Sequence, residues 1–194
     1  VIETTPSWVY LFLGFYFFTS GILFVYGAHA YMMAFLYLRA IRKTPPEPPP
    51  GPLLPVTIQL PIYNERYVIG RLLEAVTRLD YPKHLVEIQI LDDSTDETVV
   101  EAAALVAGLK SQGWAAVHRH RQERTGYKGG ALREGMAEAS GSLIAVFDAD
   151  FLPPPGFLKE TVPYFQDPSI GMVQTRWTHL NEGFSSLTRA QAAA

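Results

Sequence analysis

Hydrophobic and polar positions divide the chain into two stretches of unlike pattern. From Val9 to Leu38, 30 residues pass without an Asp, Glu, Lys or Arg, and His29 is the only imidazole among them. At about 1.5 Å of rise per residue, about 20 apolar residues cross the hydrocarbon core of a bilayer, so this run spans one with tilt or with its ends in the headgroup zones. No face of the run is polar, which argues against a helix half-buried in a soluble domain. Trp8 and Tyr10 at one end and Tyr37 at the other suit interfacial belts. Ala28-His29-Ala30 mimics a signal-peptide cleavage site, but nothing basic precedes the run and it continues past that tripeptide, so an anchor is expected. Only Glu3 is charged before the run, while Arg39, Arg42 and Lys43 follow it directly. The positive-inside rule then places the N-terminus outside and the rest of the chain in the cytosol. Residues 45–55 contain seven prolines, which predicts a stiff, extended spacer rather than a packed element. The expected organisation is an anchor over 1–44, a linker over 45–55 and a cytosolic domain over 56–194.

Past the prolines, short apolar runs alternate with helical spacing. Val56–Leu60 reads as a strand and Tyr67–Leu79 as a helix; Val86–Leu91 as a second strand and 97–110 as a second helix, stopped at Gly113. Ala115–His118 is a weaker strand, Gly130–Ala139 a short helix, and Ser142–Phe147 a buried strand. Pro155–Phe165 reads as a helix begun by proline, and Gly171–Trp177 as a further strand. Such alternation predicts an α/β domain, a mainly parallel sheet with helices on both faces. No internal repeat appears.

Composition narrows the chemistry. The 194 residues include no cysteine, which excludes a disulfide framework, a thiolate nucleophile and a cysteine zinc site. The formal net charge is −3, without the basic stripe that nucleic acid demands. Residues 8–38 hold 12 of the 24 aromatic residues, so the segment after the prolines is the polar one. His84, His118 and His120 form no helical H-x-x-x-H pair, and they are expected as exposed strand or loop residues rather than zinc ligands.

Two acidic clusters stand where strands are expected to end, and in open α/β sheets ligands bind outside the carboxyl ends of strands. Asp148-Ala149-Asp150 puts two carboxylates within reach of one hard cation, the kind of site in which magnesium or manganese takes one or two carboxylates and completes its shell with phosphate oxygens. A lone D-x-D is also common as a solvated turn or helix cap. In Asp92-Asp93-Ser94-Thr95-Asp96, Thr95 or Asp96 suits a cap for the next helix, whereas Asp92 and Asp93 sit on the strand exit itself. Arg124-Thr125-Gly126-Tyr127-Lys128-Gly129-Gly130 is a basic, glycine-rich turn opening a helix, suited to an anion such as a diphosphate. Neither a Walker loop nor a strand followed by G-x-G-x-x-G is present.

Taken together, these residues resemble family-2 inverting glycosyltransferases. Pro61-Ile62-Tyr63-Asn64-Glu65 is similar to the family's P-x-Y-N-E opening; the D-D-S-T-D run, the Lys128-Gly129-Gly130-Ala131-Leu132 turn and the D-A-D run follow in the family's order. The stretches from Gly171 to Asn181 and from Leu187 to Gln191 resemble the membrane-bound cellulose-synthase-like branch, which includes glucomannan and xyloglucan-backbone synthases. The resemblance covers about residues 55–192. It implies a GT-A nucleotide-sugar fold and transfer, with inversion, of a hexose from a UDP- or GDP-sugar, UDP favoured, to a growing β-glycan. By it, Pro61, Tyr63, Glu65 and one of Asp92 and Asp93 hold the nucleoside, and Lys128 lies near the diphosphate. Asp148 and Asp150 are the catalytic pair that holds Mg2+ or Mn2+, and Gln174, Arg176 and Trp177 fall on the sugar or acceptor side. Transfer of one sugar to a lipid acceptor, and a nucleotide-binding domain without catalysis, are the alternatives.

The sequence departs from the family where catalysis finishes. The T-E-D-like motif that supplies the general base and the Q-x-x-R-W motif do not occur before Ala194; Gln174-Thr175-Arg176-Trp177 is one residue too short and belongs to an earlier stretch. The chain is therefore expected to be an N-terminal piece, lacking the C-terminal part of the fold and inactive alone.

Overall fold

The computed structural model describes residues 6–40, 47–175 and 182–192. It separates into two units, Val1–Glu47 and Pro48–Ala194. In the first, helix α1 (Ser7–Ala40) runs for 34 residues with none of its side chains buried. It is long and apolar enough to cross a membrane.

The second unit is built on a four-stranded sheet in the order β3-β2-β1-β4. The strands are β1 (Val56–Ile62), β2 (Val86–Asp92), β3 (Ala115–His120) and β4 (Leu143–Val146), and every pairing is parallel. β1 and β2 are central and almost continuously buried, as expected of strands covered on both faces. Ile58, Leu60, Ile88 and Ile90 point to one face, against α2 (Arg66–Thr77) and α3 (Thr98–Ser111). α2 meets them with Ile69, Leu72, Leu73 and Val76, an i, i+3, i+4, i+7 stripe. The alternate residues face the other way, toward α4 (Tyr127–Ala137), and there the sheet is polar: Gln59 Nε2 donates to Gln89 Oε1 at 3.1 Å, and Thr57 Oγ1 donates to Glu87 at 2.6 Å. α4 reaches this face through glycine. A Cβ at Gly135 would lie 2.7 Å from Gln59 Nε2 and 2.8 Å from Leu91 Cδ2, closer than side chains pack.

Several sequence expectations change here. β4 is not a buried strand: it lies at the sheet edge, only its alternate residues are covered, and Ile144 and Val146 are exposed because no strand flanks them among the described residues. The helix expected over Pro155–Phe165 is α-helical only at α5 (Phe157–Thr161), and Val162–Gln166 tightens to a 3-10 turn where Pro163 removes a backbone donor. Gly171–Thr175 is not a strand, since it forms no ladder; Arg176 and Trp177 lie outside the described residues. Residues 51–55 are no free-standing spacer, because Tyr81 Oη donates to Leu54 O at 2.7 Å, Gln166 Nε2 donates to Pro52 O at 2.9 Å, and Leu54 packs on the core. A last helix, α6, covers Ser186–Ala192.

Candidate active site

Parallel pairing aligns the carboxyl ends of the strands along one edge of the sheet. The register sets Ile62 beside Asp92 and Gln59 beside Val146, so the chain leaves β1, β2 and β4 side by side. The order reverses at β1: the first connections run outward to β2 and β3, and the chain then returns to place β4 on the opposite flank. A crevice at such a switch point is where open α/β sheets bind ligands. Here it is a cleft of about 370 Å³, within the size range of small-molecule sites. Pro61 lines it from β1, Tyr63 and Glu65 from the turn between β1 and α2, Asp93 from the residue after β2, Asp148 and Asp150 from the segment after β4, and Arg124 and Lys128 from the turn before and the first turn of α4.

The turns at this edge are locked to one another. Asn64 adopts φ 55°, a left-handed conformation that asparagine tolerates better than most residues. There its backbone N–H donates to Ser94 Oγ at 2.8 Å and its side-chain oxygen accepts the Thr95 N–H at 2.9 Å. Asp96 accepts the Thr98 N–H at 3.0 Å and so caps the start of α3, as its position after the strand exit suggested.

The two neighbouring aspartates have different fates. Asp93 lines the cleft, 3 % exposed, and accepts two hydrogen bonds from Arg121, at 2.7 Å from Nε and 2.8 Å from Nη2. Asp92 is fully buried and does not line it; its carboxylate accepts from His118 Nε2 at 2.8 Å and from the Ser94 N–H at 2.8 Å. Burial works against the Asp92 carboxylate, but the His118 and Ser94 hydrogen bonds outweigh it and hold its pKa below the ordinary aspartate value. His118 is therefore not an exposed strand histidine: its ring is turned inward to this carboxylate. His120 donates from Nε2 to Ser94 O at 3.0 Å.

Arg121 carries much of the local order. Besides Asp93 it donates to Glu134 Oε1 at 3.0 Å and to the carbonyl oxygens of Thr125 at 3.2 Å and Tyr127 at 3.0 Å, tying the β2 exit to the glycine-rich turn. Its pairing with Asp93, against the cost of burial and helped by Glu134, raises its pKa further above the usual arginine value. The turn closes tightly: Gly126 has φ 73° and Tyr127 φ 49°, and a Cβ at Gly130 would sit 1.9 Å from Thr125 O. Neither Arg121 nor Asn64 stood out in the sequence. The usable signal was only their place, one inside the tyrosine motif and one just past the third strand.

Tyr63 stands at the cleft wall, 40 % exposed, with the Arg124 guanidinium carbon 3.4 Å from its ring centroid. Tyr67, on α2, is 92 % exposed. Glu65 begins α2 without a side-chain capping bond. Lys128 donates from Nζ to Asp148 Oδ1. Among the described residues no three His, Cys, Asp or Glu side chains form a ready-made metal cage. Asp148 and Asp150 offer hard oxygen donors at the border of one cleft, which fits a Mg2+ or Mn2+ ion that completes its shell with phosphate. Gln174 lies apart from this cleft. With Thr175, Val173 and Phe157 it lines a smaller hollow of about 170 Å³ that Asp148 also borders.

The chain is 39% identical over 141 residues to a probable glucomannan 4-beta-mannosyltransferase of Arabidopsis thaliana, covering 70% of this chain and 32% of that protein. It is 40% identical over 141 residues to one of Oryza sativa subsp. japonica, covering 70% and 27%. The chain thus spans about a third or less of the length of these relatives. Among solved structures, a mannosyltransferase from Pyrobaculum calidifontis in complex with GDP-Man and Mn2+ superimposes with a TM-score of 0.64 at 30% identity, over 77% of this chain and 44% of that one. The S. aureus TarS structure shares the fold at TM-score 0.51 and 20% identity, over 65% of this chain and 23% of that one. The family model for glycosyl transferase family 2 matches residues 57–192, and to that family the chain belongs.

Proposed function

We propose that this chain is the donor-binding part of a membrane-anchored, inverting mannosyltransferase that extends a β-glycan from GDP-mannose. The observation that carries the reading is the single cleft where the exits of β1, β2 and β4 and the start of α4 bring Tyr63, Asp93, Lys128, Asp148 and Asp150 together. Tyr63 offers a ring face for the base, worth roughly 1–3 kcal/mol by analogy with base stacking on aromatic residues. Asp93 is held rigid by Arg121, so that it offers a fixed acceptor to the nucleoside. Lys128 and the backbone of the first turn of α4 face the diphosphate. Asp148 and Asp150 would hold the divalent cation, which when bound supplies charge to offset that of the departing diphosphate. Pro61 and Glu65 shape the nucleoside end of the cleft, and Gln174 falls on the acceptor side.

The mannosyltransferase relatives and the neighbour holding GDP-Man favour GDP-mannose over a UDP-sugar. Anchoring rests on α1, and Arg39 at its C-terminal end supports a cytosolic site. A tag placed after Lys43 is then protected from protease in right-side-out vesicles, and cleavage of it from outside refutes the orientation. The activity is tested with membranes carrying the complete protein, given radiolabelled GDP-mannose and a mannan acceptor. Label is expected in alkali-insoluble β-glycan with wild type and not with Asp150→Asn. Equal incorporation from both, or incorporation from UDP-glucose alone, refutes the assignment.

A further inference from the structure

Lys128 is assigned to the donor's diphosphate, yet in the structure its ammonium is spent on Asp148, one of the two carboxylates assigned to the cation. Asp148 is thus asked to serve both. An ammonium on its carboxylate offsets the charge that would draw a divalent ion and repels the ion at close range, so the two compete for it. The remaining carboxylate, Asp150, is a single ligand, and no third acidic or imidazole group joins the pair among the described residues. A hard cation so poorly provided for binds weakly by itself and gains the rest of its shell from phosphate oxygens. The pair is also easily opened, since its side chains are 52% and 38% exposed and water screens the attraction.

We infer that Lys128 is an exchange residue that makes cation and nucleotide load together: the incoming diphosphate draws the ammonium off Asp148, and the carboxylate so released takes the ion. The inference rests on the nucleotide-sugar reading above, and it adds a thermodynamic coupling that such a reading does not require. Each step is an exchange of one partner for another, so charge balance in the cleft is kept throughout: the empty site pairs Lys128 with Asp148, and the loaded site pairs Lys128 with phosphate and Asp148 with the ion. Linkage demands that whatever factor the nucleotide adds to cation affinity, the cation adds to nucleotide affinity. Part of that factor is the release of Asp148, and it disappears when residue 128 carries no charge.

The test is a titration of the detergent-solubilised full chain with Mn2+, followed by electron paramagnetic resonance, with and without saturating GDP, and calorimetry of GDP with and without Mn2+. Lys128→Met is expected to bind Mn2+ alone about two- to fivefold more tightly than wild type, because a competing cation worth an exposed ion pair is gone. The same variant is expected to bind GDP without metal at least about tenfold more weakly, as a charge-assisted contact to phosphate is lost. The mutual enhancement between GDP and Mn2+ shrinks, and Lys128→Arg restores it. Opposite signs for the two ligands are beyond a merely structural effect, and the exposed position leaves the melting temperature unchanged. The inference is overturned if Lys128→Met weakens Mn2+ binding, or leaves the mutual enhancement at its wild-type value. It is overturned, with the donor reading intact, if wild type binds GDP but never Mn2+. Wild type that binds neither GDP nor UDP overturns both.

Discussion

Removing Arg121 tests whether the cleft is ordered by one buried ion pair. Its side chain is 11% exposed and that of Asp93 4%, so the attraction between them is little screened. Arg121→Met leaves the Asp93 carboxylate, among the described residues, with Arg124 at 3.6 Å as its cation, and strips the carbonyls of Thr125 and Tyr127 of a donor. Breaking a buried pair from one side costs about 3–5 kcal/mol, mostly the penalty of the uncompensated charge. For a chain of this length that lowers the melting temperature by roughly 6–20 °C, at about 2–4 °C per kcal/mol. Asp93→Asn is milder, about 1–3 kcal/mol, because Arg121 keeps Glu134 and the two carbonyls. The double variant Arg121→Met with Asp93→Asn has no stranded charge. It is expected to lose at least ~1.5 kcal/mol less than the sum of the single losses. Urea unfolding of the detergent-solubilised chain, followed by far-ultraviolet circular dichroism of the α/β unit, completes the cycle. Single losses that add to within about 0.5 kcal/mol show that the pair is not coupled, and the ordering argument falls.

Three further outcomes follow from the same geometry. Tyr63→Ala is expected to weaken GDP binding about 5- to 150-fold while the ligand-free melting temperature stays put; calorimetry showing intact affinity and a lowered melting temperature would mean that the ring is structural. Gly130→Ala forces a methyl against Thr125 O, so the turn must open; a loss of about 1–3 kcal/mol or more, together with loss of GDP binding, is expected in paired melts and titrations, and wild-type behaviour in both refutes it. Asp92 has a folded pKa below its unfolded one, so its contribution is present above about pH 4, the ordinary aspartate value, and is lost as pH falls through the folded pKa. Urea midpoints between pH 7 and pH 2 should therefore decline less steeply at the acid end in Asp92→Asn, and an identical slope would show that Asp92 is not the responsible group.

The sequence by itself determined the long apolar helix, the two central strands and the kinds of chemistry available. A run without charges, strands in which Val, Ile and Leu recur at alternate positions, and acidic residues placed where such strands stop are local signals, readable from neighbours in the chain. The motif from Pro61 to Glu65 and the glycine-rich turn before Lys128 were legible for the same reason: each is one continuous piece of backbone. What only the tertiary structure decided is which of these pieces meet. Asp92 and Asp93 are adjacent and alike in sequence, yet the pleat of β2 sends one inward to His118 and leaves the other at the cleft with Arg121, 28 residues further on. β4 looked buried because its residues are apolar, but burial depends on what lies beside a strand, and that is set by the order β3-β2-β1-β4. The pairing of Lys128 with Asp148 joins a helix start to a strand exit 20 residues away, and no spacing rule reports it. Long-range pairing is fixed by sheet order and register, which arise from the packing of the whole domain rather than from any window of its sequence.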